Sequence, residues 1–243
     1  IFRTREFEQM ELEYFVKPDQ AEKYFKEWVK KRLDWYKDIG LKNVKSREQS
    51  ADERAHYSKA TTDIEYKFPF GQQEIEGIAN RGDFDLSAHQ KSSAKDLTYF
   101  DEEVKERYLP YVIEPSAGVE RILLALLCES YQEERDRIVL KLKPALAPYK
   151  AAVFPLLANK PQLVELARKI HNDLKQEFVV VWDERGNIGK RYYSQDEIGT
   201  PYCITVDFDS LEKKDVTVRD RDSMKQARVK IEELKDYFSD KLS

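Results

Sequence analysis

Glu114-Pro115-Ser116-Ala117-Gly118-Val119-Glu120-Arg121 lies between a short apolar run, 108–113, and a longer one, 122–128. The first run has the length and composition of a strand. The second, extended to Ser130, reads as a helix whose middle is apolar on every side, and such a helix is expected in a core. The eight residues between read as a tight turn and helix start. Ser116 can cap the helix, Gly118 lets a ligand approach the backbone, and Arg121 stands in the first turns, where the helix dipole already favours an anion. A triphosphate would suit that arrangement, and so would an ordinary capped core helix with no ligand at all.

Upstream, Asp63-Ile64-Glu65-Tyr66 and Glu74-Ile75-Glu76-Gly77-Ile78-Ala79 read as two strands about a turn at Pro69 and Gly71. Glu74 near a strand end is a carboxylate able to hold Mg²⁺ or simply to meet water. Residues 87–103 read as a surface connection, and 43–60 are too polar to assign. Asp19 and Glu22 have capping-box spacing, and Ala21, Tyr24, Phe25, Trp28, Val29, Leu33 and Tyr36 follow at helical intervals until Gly40 stops them. Residues 2–15 alternate as one strand, with Met10, Leu12 and Tyr14 on one face and Arg3, Arg5, Gln9, Glu11 and Glu13 on the other. Arginines on that face can grip phosphate oxygens and the carboxylates an ammonium group, although any half-solvated strand has the same alternation.

Downstream, the charged stretch 132–143 with Pro144 and Pro148 marks the expected boundary between a first domain, 1–147, and a second, 148–243. In the second, strands are expected over 151–157, 178–182, 202–208 and 216–218, and helices over 161–176 and 231–238. That is a small α/β pattern.

The 243 residues carry 42 Lys+Arg against 46 Asp+Glu, a formal charge of −4, which excludes a uniformly basic nucleic-acid module. With 41% hydrophobic and 12% aromatic residues the chain can build a core. Its longest apolar run falls far short of the ~20 residues that span a bilayer. Cys128 and Cys203 form no CxxC pair, and His56, His89 and His171 are scattered, so neither a disulfide framework nor a zinc cluster is expected. The compartment reads as reducing and cytoplasmic. The opening Ile1-Phe2-Arg3, with no initiator Met, is expected to belong to a longer chain.

Taken together, the segments resemble class II glycyl-tRNA synthetases. Phe2-Arg3-Thr4-Arg5-Glu6-Phe7-Glu8-Gln9-Met10-Glu11-Leu12-Glu13-Tyr14-Phe15 resembles the second half of their motif 2, and 114–127 resembles their motif 3. Ala55-His56-Tyr57-Ser58-Lys59, Glu74-Ile75-Glu76-Gly77-Ile78-Ala79-Asn80-Arg81 and Gln195-Asp196-Glu197-Ile198-Gly199-Thr200-Pro201-Tyr202-Cys203 also look like that family. The resemblance implies an α+β protein, a partial antiparallel-sheet catalytic domain followed by a small α/β anticodon-binding domain. Motif 1 and the first strand of motif 2 are absent from this chain.

By the same resemblance ATP is a substrate, bound by Phe2, Arg3, Thr4, Arg5, Glu6 and Phe7, by Glu74 and Ile75, and by Gly118, Val119, Glu120 and Arg121. Phe7 would stack on adenine. Glycine would be held by Phe7, Glu8, Gln9, Met10 and Glu11 from one strand and by Glu114, Pro115, Ser116, Ala117 and Gly118 from the other. Arg3, Arg5, Glu11 and Arg121 would carry the catalysis, Glu74 would hold Mg²⁺, and no zinc is expected. The implied partners are glycine, ATP, tRNA and a second subunit in a homodimer, with no membrane. Lys190, Arg191, Arg219 and Arg221, near Tyr192 and Tyr193, are candidates to meet tRNA phosphates and unpaired bases. The rival reading is a synthetase-like accessory protein that binds nucleic acid without catalysis.

Overall fold

A computed structural model describes residues 2–242, so Ile1 lies outside the described residues, and it divides between Glu129 and Ser130 into two units. The first begins with strands β1 (Gln9–Glu11) and β2 (Tyr14–Val16), helix α1 (Ala21–Asp38), and strands β3 (Val44–Glu48), β4 (Ala60–Phe68) and β5 (Gly71–Gly82). Helix α2 (Phe84–Ser93), the hairpin β6 (Tyr99–Asp101) and β7 (Glu106–Tyr108), strand β8 (Tyr111–Gly118) and helix α3 (Val119–Ser130) complete it. The main sheet is antiparallel and six-stranded, in the order β1-β8-β5-β4-β3, with β2 pairing farther along β8. Phe25 and Tyr36 of α1 share a core with Ile64, Ile78 and Ile113 of the sheet and with Ile122 and Ala125 of α3. Gly71, at φ +120°, makes the β4–β5 turn where the sequence places it.

Several expectations are corrected. Residues 2–15 are not one strand, because among the described residues they pair with β8 alone and β8 becomes helix immediately after Gly118, which faces Gln9. Among the described residues, those before Gln9 therefore join no strand ladder. Ser116 is no helix cap, since β8 runs straight through 114–118 into α3 without a turn. Pro115 is tolerated there because its carbonyl accepts from Leu12 N–H, so its missing N–H faces the break between β1 and β2. The Asp19/Glu22 capping box does not form; a 3₁₀ turn, Pro18–Gln20, leads into α1 and Gln20 makes no side-chain cap. Residues 87–103 hold most of α2 and all of β6 rather than a plain connection. Helix α3 buries Ile122 and Ala125 but leaves Leu123 and Leu127 exposed.

The second unit opens with the hairpin β9 (Tyr131–Glu134) and β10 (Arg137–Leu140), then β11 (Ala151–Pro155), α4 (Pro161–Leu174), β12 (Val180–Trp182), α5 (Ile188–Ile198) and β13 (Tyr202–Val206). Helix α6 (Phe208–Lys213), strands β14 (Asp215–Asp220) and β15 (Gln226–Lys230), and helix α7 (Leu234–Leu242) come after these. The sheet order is β12-β11-β13-β14-β15, parallel among the first three and antiparallel beyond. Leu163, Ala167 and Ile170 of α4 pack on one face, and Ile188 and Tyr192 of α5 on the other, against Ala152, Phe154 and Cys203.

The units divide earlier than the 147/148 boundary read from the sequence, because buried charge ties the β9–β10 hairpin to α5 and β14. Arg137 Nη1 donates to Asp196 Oδ2 at 2.8 Å, and Arg219 binds both Asp196 oxygens at 2.8 and 2.9 Å. Arg221 donates to the carbonyls of Gly199 and Leu142. Gly199, at φ +89°, ends α5 where a Cβ would stand 2.9 Å from the Leu140 carbonyl oxygen, so the hairpin packs there only against glycine.

Glu134 accepts from Arg137 and Lys141, and those two cations hold its carboxyl down to about 2 from an ordinary 4.5. A depressed carboxyl contributes stability that is complete above 4.5 and lost as the pH falls toward 2. Urea melts at pH 7 and pH 3 should therefore differ less for Glu134→Gln than for the parent chain. An unchanged difference would remove Glu134 from the acid response.

Candidate functional site

Alternation along β8 decides which side chains meet. Glu114, Ser116 and Gly118 share one face while Pro115 and Ala117 are buried on the other. Gln9 pairs with Gly118 and Glu11 with Ser116 across β1, and Gly77 pairs with Ser116 across β5. Cross-strand partners lie on the same side, so Gln9, Glu11, Gly77, Ser116 and Gly118 gather there. The Ser116 hydroxyl accepts from Gln9 Nε2 at 2.5 Å and donates to Glu11 Oε1 at 3.2 Å. The loop before β1 is tied to the start of α3: Val119 N–H donates to the Glu8 carbonyl at 3.0 Å and Glu8 N–H to Glu120 Oε1 at 2.9 Å.

A cavity of about 410 Å³ opens on this face. It is lined by Phe2, Arg3, Thr4, Phe7 and Gln9, by Glu74, Ile75 and Gly77 of β5, and by Ser116, Gly118, Glu120 and Arg121 of β8 and α3. Arg5, Glu6, Glu8, Met10, Glu11 and Val119, expected at the ligand, do not line it, nor do Glu114, Pro115 and Ala117. Glu11 reaches the cavity through Ser116. Any contact by Pro115 or Ala117 would be through backbone.

A β-bulge places Glu74. Glu65 pairs with Glu74 and Ile64 with Glu76, which leaves Ile75 unpaired and both Ile75 and Glu76 buried. Arg121 Nη1 donates to the Glu74 carbonyl at 2.9 Å, its guanidinium lies 4.5 Å from the Phe2 ring centre, and the Glu74 carboxylate is 3.9 Å away. Burial raises the Glu74 carboxyl above its ordinary value, with Asp63 adding and Arg121 opposing.

Farther along β8 a second constellation surrounds Glu114. A second bulge, where Asn80 pairs with Ile113 and Gly82 with Val112, frees Arg81 from the ladder; Gly82 has φ +59°. Arg81 Nη1 donates to Glu114 Oε2 at 2.6 Å, and its Nε and Nη2 donate to the two oxygens of Asp85 at 2.6 and 2.9 Å. The Tyr57 ring lies 4.1 Å from the guanidinium. Burial, then Glu114, raises the Glu13 carboxyl. The sequence reading leaves Asp85 without a role, places Glu13 only on the polar face of 2–15, and includes Tyr57 and Arg81 only in stretches that resemble the family. The only available signal was the four-residue spacing of Arg81 and Asp85, and it straddles a strand end.

Among the described residues no group of three or more His, Cys, Asp or Glu is arranged to hold a metal. Glu74 and Glu120 are the two carboxylates lining the cavity, with Glu120 already accepting from Glu8 N–H, and Glu74 fits Mg²⁺ taken up with a phosphate-bearing substrate, since that ion commonly uses one or two carboxylates plus phosphate oxygens and water.

Residues 1–131 match the model of the tRNA synthetase class II core domain (G, H, P, S and T), and residues 150–241 match that of an anticodon binding domain. The chain belongs to the class II tRNA synthetase family. It is 52% identical over 249 residues to the glycine--tRNA ligase of Macrococcus caseolyticus, covering all of this chain and 53% of that protein. The glycine--tRNA ligase of Caldanaerobacter subterraneus is also 52% identical, over 53% of its length, and that of Streptomyces coelicolor 49%, over 55%. The synthetase chain thus spans about half the length of these curated relatives, and its mixed α+β architecture is the one expected.

In the second unit three of the candidate RNA contacts are corrected. Arg191, Arg219 and Arg221 are buried: Arg191 donates to the Pro155 carbonyl, and the other two serve the network around Asp196 and Gly199. They hold the fold. The Tyr192 hydroxyl bonds Thr205 at 2.6 Å. Lys190 and Tyr193 remain exposed.

Proposed function

We propose that the full-length protein ligates glycine to its tRNA through a glycyl-adenylate made from ATP. The carrying observation is that one sheet face has carboxylates and Ser116 at one end and Arg3, Arg121 and the start of α3 at the other. Such a face orients a zwitterion beside a polyphosphate. The identity to glycine--tRNA ligases adds the amino acid.

The glycine carboxylate attacks the α-phosphorus of ATP and pyrophosphate leaves; a hydroxyl of the tRNA terminal adenosine then attacks the glycyl carbonyl, takes the glycyl group and AMP leaves. No side chain acts as nucleophile, so the residues work by placement and charge. Arg3, Arg5 and Arg121 hold phosphates, Phe7 offers a ring to the adenine, and Glu11 and Glu114 hold the ammonium. Mg²⁺ at Glu74, when bound, would neutralise phosphate charge. Glycine offers no side chain to recognise, so selection works by crowding its α-carbon. The proposal includes a cytoplasmic homodimer that meets tRNA through the second unit. Its supports are family membership, the free thiols of Cys128 and Cys203, and the exposed Lys190 and Tyr193. Among the described residues no helix is long and apolar enough to cross a membrane.

Glu11→Ala in the full-length protein tests the reading. Loss of a charge-assisted bond should cost about 1.5–3 kcal/mol, seen as a raised glycine KM or lost adenylate formation with ATP binding little changed. Pyrophosphate exchange at varied glycine measures it, and wild-type kinetics would take Glu11 out of the pocket.

A further inference from the structure

Helix α2 contributes no buried residue, yet its first turn carries Asp85, which spans Nε and Nη2 of Arg81. We infer that Asp85 is the positioning residue of the amino-acid end: it fixes Arg81, and Arg81 fixes Glu114 for the glycine ammonium. The inference rests on the function proposed above.

Three observations carry it. Arg81 sits at a bulge, so the β-ladder does not set its direction, and something else must. Asp85 supplies a two-point contact on one edge of the guanidinium plane, and the Tyr57 ring lies over that plane at 4.1 Å. A fork held at two nitrogens cannot swing, which leaves Nη1 aimed at Glu114 at 2.6 Å. The charges need this arrangement. Glu13 crowds Glu114 with a second carboxyl, and without a fixed cation Glu114 would be free to turn away from it. Asp85 touches no ligand in this scheme, and it acts through Arg81. It also occupies Nε and Nη2 of Arg81, so that Glu114 receives Nη1 alone.

The test is glycine-dependent ATP–pyrophosphate exchange in the full-length protein, with Asp85→Asn, Arg81→Gln and the double variant. Asp85→Asn keeps the shape and removes the charge. It is expected to raise the glycine KM about tenfold or more while the ATP KM and the melting temperature stay put. In the Arg81→Gln background the same substitution should add less than about twofold, because the two residues act as one unit. KM does not depend on how much of a variant is folded, so partial misfolding leaves the readout intact. An unchanged glycine KM in Asp85→Asn, or full additivity in the double variant, overturns this inference alone. A wild-type protein without glycine-dependent exchange overturns the proposed function and this inference with it.

Discussion

Asp196→Ala is expected to unfold the second unit or bring it close to unfolding. Asp196 is fully buried, and its two oxygens neutralise Arg137 and Arg219, whose side chains are themselves 3% and 5% exposed. Removing one partner of a buried pair costs about 3–5 kcal/mol because the charge left behind cannot reach water. Here two guanidinium groups are left. Arg137 would keep Glu134 and the Arg221 carbonyl, but its Nη2 already lacks a hydrogen-bond partner, and Arg219 would lose the carboxylate that holds both its terminal nitrogens. For a unit of this size the cost corresponds to a fall in melting temperature of roughly 15 °C or more. Thermal melts followed by circular dichroism would read it, with amide exchange in β13 and β14 locating the loss. Replacing Arg137, Asp196 and Arg219 together by apolar residues of similar volume should restore much of the stability, as it does for buried ion clusters generally. A single variant that melts like the parent would mean that water enters the cluster.

Arg121→Ala should lower adenylate formation in the full-length protein by about 10²–10³, the loss of about 2.7–4 kcal/mol seen when one preorganised donor to developing charge is removed. The fold should survive. Arg121 gives the structure one bond to the Glu74 carbonyl and a stack on Phe2, while Ile122 and Ala125 hold α3 in the core. Pyrophosphate exchange and a urea melt on the same preparation separate the two effects. If the melt collapsed and the folded fraction bound ATP normally, Arg121 would be a structural residue.

Legibility in the sequence depends on which signals are local. Helix α1 and the β4–β5 hairpin can be read because apolar spacing and Gly71 are written in consecutive residues. Helix α5 cannot. Its buried positions are Arg191, Gln195 and Asp196, so a search for an apolar stripe meets a polar one. The extent of β1 depends on where β8 ends, a fact about another segment entirely. Pro115 suggests a turn, yet it sits in a strand because its neighbour across the sheet is a gap. In the site, Arg3, Glu74, Ser116, Gly118 and Arg121 are placed by motif and do gather. Arg81 and Asp85 receive no role from the sequence, because the bulge that turns Arg81 toward Glu114 leaves no mark in residue spacing.

One strand and the helix that grows out of it carry both ends of the proposed ligand. Glu114, Ser116 and Gly118 succeed each other on one face, so about 13 Å separates the first from the last at the usual strand rise. For that ligand β8 would work as a gauge: the distance from amine to phosphate would be set by backbone pitch, independent of any side chain. Adding or deleting a single residue between Glu114 and Gly118 would turn one end of the gauge to the opposite face. An added residue in the stretch 94–98, outside the main ladder, would turn no strand of it, but between 114 and 118 the count of residues would itself be part of the proposed specificity.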